Sequence, residues 1–126
     1  MSYINPEVFD QGLDYADANG TRIDLCTQEP TTYSQATTKG TYSCGYKTGL
    51  NTSTTANGGD DGRKVTVPSI NDGTVDCTGS VPATHWALTD GSSIFVAAGA
   101  LSQGQTVTDG NTFTLDEITI TIRDPA

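Results

Sequence analysis

The chain has 126 residues and a mass of 13.2 kDa, enough for one domain with its own core. Six Lys and Arg against fifteen Asp and Glu leave a net charge of −9. That disfavours nucleic acid, where a basic footprint supplies most of the affinity, and anionic membrane surfaces alike. No apolar run approaches the roughly 20 residues of a membrane span, and Met1 to Pro6 lack the basic and apolar regions of a secretory signal.

Taken in chain order, residues 8–18 predict the one helix. Phe9, Leu13 and Ala16 fall at i, i+4 and i+7, Pro6 suits the approach and Gly20 the stop. Residues 21–27 alternate as a strand, with Ile23 and Leu25 on one face and Arg22, Asp24 and Cys26 on the other. Residues 28–35, with Pro30, read as a loop. Residues 42–48 read as a strand with Tyr42, Cys44 and Tyr46 on one face, and residues 49–62, rich in Thr, Asn, Gly and Asp, as a flexible loop. Residues 63–68 restart the sheet with Val65 and Val67 inward, ended by Pro68. Asn71-Asp72-Gly73 predicts a turn, after which Val75 and Cys77 share a face.

From Thr84 to Arg123 strand follows strand. Trp86 and Leu88 share one face, His85 and Ala87 the other. The separators are Asp90-Gly91, Gly99, Gly104, Asp109-Gly110 and Asp116-Glu117. The last strand is the most regular, with Ile118, Ile120 and Ile122 toward the core and Thr119 and Thr121 toward solvent. The expected fold is all-β: an antiparallel β-sandwich, immunoglobulin-like or jelly-roll-like, with one short N-terminal helix. It forms a single domain over 1–126, with an arm and helix in 1–20 and the sandwich in 21–126.

Few residues carry a chemical signal. His85 is the sole imidazole; Ser92, Ser93 and Asp90 follow it, but no G-x-S-x-G elbow marks a nucleophile, so it reads as a surface or interface residue. Cys26, Cys44 and Cys77 form no C-x-x-C pair and lack the four close ligands of structural zinc. They read first as buried thiols, with an intrachain bridge or an intersubunit crosslink as alternatives. Asp60-Asp61-Gly62 lacks the spacing of a calcium loop and reads as a solvated loop or a weak cation site. Asp10, Asp14, Asp17 and Glu29 define no acid pair without geometry. Trp86 and Phe95 suit a core or a carbohydrate platform; Leu88, on the same face, favours the core for Trp86. Tyrosine is enriched at interfaces, so Tyr3, Ile4, Pro6, Phe9, Tyr42 and Tyr46 are the expected contact residues. No catalytic, metal-binding or cofactor-binding residue is assigned.

The region from Thr84 onward resembles a group of small virion proteins of tailed bacteriophages. The matching stretches are Thr84-His85-Trp86-Ala87-Leu88-Thr89-Asp90, Ile94-Phe95-Val96-Ala97-Ala98-Gly99-Ala100-Leu101, Thr106-Val107-Thr108-Asp109-Gly110-Asn111-Thr112-Phe113, and the final strand from Ile118 to Ile122. Residues 21–30 also fit the group's helix, strand and Pro-containing loop. Residues 49–62 are unmatched, and the three cysteines lie outside the pattern. The resemblance implies a non-enzymatic β-sandwich made in the host cytoplasm and carried in the virion. It would serve as a head decoration (cement) protein, or as a neck, collar or tail component. The implied partners are the major capsid protein or other virion proteins, with self-association into a closed oligomer, a trimer by preference. A carbohydrate-binding or adhesin-like module is the alternative from a different class.

Overall fold

The computed structural model describes residues 3–4, 13–55 and 63–122. In chain order these form β1 (Tyr3–Ile4), α1 (Leu13–Asn19), β2 (Arg22–Cys26), α2 (Tyr33–Thr37), β3 (Ser43–Lys47), β4 (Ser53–Thr55), β5 (Arg63–Val67), β6 (Ile70–Val75), β7 (Ser80–Thr89), β8 (Phe95–Thr108), β9 (Thr112–Leu115) and β10 (Ile118–Ile122). Seven strands pair in the order β1-β8-β7-β2-β3-β6-β9, and a second sheet has the order β10-β5-β4. Every pairing of these strands is antiparallel. The all-β expectation therefore holds, as a β-sandwich-like pair of sheets.

The small sheet supplies one layer of the core. Val65 and Val67 are buried as their alternation predicts, and β10 lies on β5 with Ile120 opposite Val65 and Ile118 opposite Val67. These side chains join Ile23, Leu25, Leu88, Val96, Val107 and Phe113 of the large sheet in one apolar cluster, the source of most of the folding drive. α1 begins within the expected helix and adds Ala16 to that cluster; residues 8–12 lie outside the described set. Gly20 N–H closes the helix on Ala16 O at 2.7 Å.

The large sheet also buries its outer face, which single-strand alternation does not foretell. Asp24 and Cys26, on the face of β2 opposite Ile23 and Leu25, are both 0% exposed, and Cys26 is the buried thiol expected. Cys26, Ala36, Ala87, Phe95 and Ala98 form a second cluster with Tyr33 against it. Ala36 and Tyr33 come from α2, which replaces the end of the loop expected over 28–35. Its start is a Thr-x-x-Gln signal: Thr32 Oγ1 accepts Gln35 N–H at 3.1 Å, and Gln35 Oε1 reaches back to Thr31 N–H at 2.9 Å. Asp24 is tolerated at full burial because it is saturated. Arg22 grips it through Nε and Nη2 at 2.8 and 3.0 Å, and Ser43 Oγ donates to Oδ2 at 2.6 Å.

Four further expectations are corrected. Residues 49–62 are not loop throughout, because β4 pairs with β5 at the margin of the small sheet; residues 56–62, including Asp60 and Asp61, lie outside the described set. Asn71-Asp72-Gly73 is not a turn but the middle of β6. A Cβ on Gly73 would stand 2.2 Å from Phe113 Cζ, so this glycine serves a close approach of the β9 ring. Tyr42, Cys44 and Tyr46 do not share a face. The β2–β3 register shifts at Leu25/Cys26, which turns Cys44 into the main cluster, while Tyr46 lies opposite Asp24 under the Arg22 guanidinium, 4.7 Å from the ring centroid. Finally, Gly99 and Gly104 do not end strands: both lie inside the 14-residue β8. The separators at Gly91 and Gly110 do turn the chain, with φ of +78° and +88°.

Candidate functional site

The expected contact residues do not converge. Tyr3 and Ile4 form β1, the outermost strand, with Cα partners Ala98 and Ala97 on β8. Tyr46 lies on β3, with β8, β7 and β2 between it and β1. Tyr42 sits half-buried in the turn before β3, and Pro6 and Phe9 lie outside the described residues.

The thiols are buried and unbridged within the chain. Cys26, Cys44 and Cys77 donate to the carbonyls of Ala36, Leu25 and Gly79. Burial pushes the Cys44 thiol up to about 11 and raises Cys26 further. A crosslink between subunits would require these groups to leave the core.

His85 has company that sequence reasoning did not foresee. Its Nδ1 is 2.8 Å from Thr84 Oγ1, and its Nε2 is 3.9 Å from Glu29 Oε2. The Thr84 hydroxyl, however, donates to Thr27 O at 3.0 Å, so its proton is directed at a carbonyl and not at the imidazole. A hydroxyl nucleophile needs the opposite polarity. Ser92 and Ser93 are held elsewhere: their N–H groups, with that of Ile94, converge on Asp90 Oδ1 at 2.8, 2.8 and 2.9 Å and build the β7–β8 turn. Among the described residues no three His, Cys, Asp or Glu side chains are gathered to hold a metal.

Among the described residues there is a groove of about 500 Å³. It arises from a defect in the β7–β8 ladder. Ala83 faces Gln105 and His85 faces Ala100, so residues 101–104 of β8 stand opposite Thr84 alone. The surplus residues loop out of the β7 ladder, and β8 rejoins it from Gln105 to Thr108. Here β8 comes close to β9, although four strands lie between them in the sheet order. Gln105 Nε2 then donates to Thr114 O of β9 at 3.1 Å and joins the two sides of the curled sheet. The groove lies along this seam, walled by the bulged part of β8, the end of β9 and the start of β10, with Trp86 at one side.

Trp86 is placed by its cross-strand partner. It faces Gly99, and a Cβ there would stand 3.0 Å from Trp86 Cζ2, so the missing side chain is what lets the indole lie against β8. The ring is half-buried. It packs on the main cluster, as its shared face with Leu88 implies, and it also lines the groove. The two readings of this tryptophan, core and platform, are thus compatible. Ser102, Gln103, Asp116, Glu117 and Thr119 are exposed on the same walls. The sequence held one trace of the site: after Leu101, the run Ser102-Gln103-Gly104-Gln105 drops the apolar alternation of a core strand.

No protein-family model, curated protein or solved structure matches the chain.

Proposed function

We propose that the chain is a non-enzymatic structural protein of a phage particle, which docks on the assembled head lattice as a decoration protein and stabilises it. One observation carries the reading. The stretches that resemble small virion proteins fall on β7, β8, β9 and β10, four successive strands joined by short turns that span both sheets. The resemblance thus covers a contiguous structural unit and not scattered segments. The acidic charge of −9 suits a protein that stays soluble at high concentration until it is placed. Binding to the assembled lattice and not to free subunits stabilises the lattice by linkage, and many modest contacts add up through repetition. The major capsid protein would be the partner, with a closed homo-oligomer, a trimer by preference, as the docking unit.

Quantitative mass spectrometry of purified particles carrying the chain tests this, run with and without reductant. A copy number comparable to the major capsid protein is expected. A single ring's worth of copies would place the chain at the neck or tail instead, and absence from the particle would end the virion reading. A ladder collapsing on reduction would show that Cys26, Cys44 or Cys77 leaves its buried site in the particle.

A further inference from the structure

We infer that the groove along the β8–β9 seam is a binding site for a neutral saccharide, with Trp86 as its stacking wall. The groove's ligand class does not depend on whether the chain joins a particle. Four features lead there.

The groove has the size of a small-molecule site: about 500 Å³, within the usual range of roughly 300–1,000 Å³. Its aromatic wall is held in place. Trp86 is seated on Gly99 on one side and on the main cluster below, yet is only partly buried and lines the groove. A fixed indole presents a flat apolar face at little entropic cost, which suits the C–H face of a pyranose ring.

The rest of the lining is polar and mixed in kind. Ser102 and Thr119 carry hydroxyls, Gln103 an amide, and Asp116 and Glu117 carboxylates, all exposed. Carboxylates accept hydrogen bonds and hydroxyls and amides do both, so the matching ligand is rich in hydroxyl donors and acceptors. An apolar ligand would leave these groups unpaired.

The charge selects further. Among the described residues no Lys, Arg or His lines the groove, two carboxylates do, and the whole chain carries −9. Phosphates, sulfated or sialylated sugars and nucleotides would meet repulsion with no cation to offset it. A neutral polyol of sugar shape meets no such repulsion and matches the mixed hydroxyl, amide and carboxylate lining. The groove is open along the seam, so it accommodates a segment of an oligosaccharide. The Gln105–Thr114 hydrogen bond holds its two walls together before any ligand arrives, which lowers the cost of ordering on binding.

Trp86 is the sole tryptophan of the chain, so its emission reports on this groove alone. The experiment titrates the full chain with neutral trisaccharides of glucose, galactose, mannose and N-acetylglucosamine, and with a sialylated and a sulfated trisaccharide. At least one neutral probe should give a saturable shift of Trp86 emission with a millimolar or tighter Kd, and the anionic probes should bind at least about tenfold more weakly. Because Trp86 also packs on the core, Trp86→Ala risks unfolding. The deciding variant is therefore Asp116→Asn with Glu117→Gln, both exposed, with circular dichroism as the folding control. It should weaken the best neutral probe about fivefold or more, and Gln103→Ala should weaken it in the same direction. No saturable shift with any neutral probe overturns the inference. So does anionic binding as tight as neutral, or a Kd unmoved in the carboxylate variant. A failure here leaves the particle copy number untouched, so the two readings fall separately.

Discussion

From Phe95 to Gly99, β8 is buried at every residue; from Ala100 to Thr108, Val107 alone is. The first part runs between β1 and β7, with the main cluster on one face and the outer cluster on the other. Space there is scarce, and Ala97, Ala98 and Gly99 are small. The second part loops out of the β7 ladder at residues 101–104 and rejoins it from Gln105 to Thr108, with the Gln105 side chain reaching β9. Apart from Ala100, Leu101 and Val107 its side chains are polar or absent, and its backbone shapes a groove. One strand thus serves packing over its first third and surface shape over the remainder, and the bulge opposite Thr84 separates the two regimes.

Substitutions along β8 should divide at that point. Phe95→Ala removes a ring from the outer cluster and should cost about 3–5 kcal/mol, read as a lowered urea midpoint at unchanged slope. Ala98→Leu forces bulk between β8 and α2 in the same cluster and should cost about 1–3 kcal/mol; a smaller loss would mean that the outer layer is looser than its burial implies. Gly99→Ala sits where the indole rests. It should cost about 1 kcal/mol and shift Trp86 emission, because the ring must move by several tenths of an ångström to clear the new methyl.

The turn that launches the buried part gives a weaker, pH-dependent signal. Burial of Asp90 opposes ionisation, but the N–H groups of Ile94, Ser93 and Ser92 outweigh it and hold the carboxyl below its ordinary value. A depressed folded pKa contributes stability that is fully present above the unfolded value and is lost as pH falls through the folded one. Asp90→Ala should therefore lower stability at neutral pH and flatten the acid limb of the stability profile, measured by urea melts below and above about pH 4. Gln103→Ala, within the bulge, should change stability by less than about 0.5 kcal/mol. A loss as large as that from Ala98→Leu would erase the distinction between the two parts of β8.

Much of this architecture was legible in the chain. The alternation of Val65 and Val67 and of Ile118 and Ile120 gave the inward faces of β5 and β10, because a face buried on one side only writes its period into the sequence. Gly91 and Gly110 marked real turns, since their positive φ suits glycine. Gly73 and Gly99 carried the same letter for a different reason, a ring lying against the backbone. That contact joins residues on different strands, and no local rule separates the two uses. The capping signal at Thr32 to Gln35 was present as well; Pro30 and the neighbouring threonines masked it.

By itself the sequence determined the all-β class, the inward faces of β5 and β10, and a net charge of −9. Alternation states which residues share a face and is silent on what covers the opposite one. Only the tertiary structure decided that Asp24 is buried, held by Arg22 and Ser43, and that α2, placed from elsewhere in the chain, is what covers Cys26. It alone decided that β8 meets β9. The extra residues at 101–104 take effect only when counted against Thr84 on the paired strand, and a groove between strands with four others between them exists only once that sheet has curled.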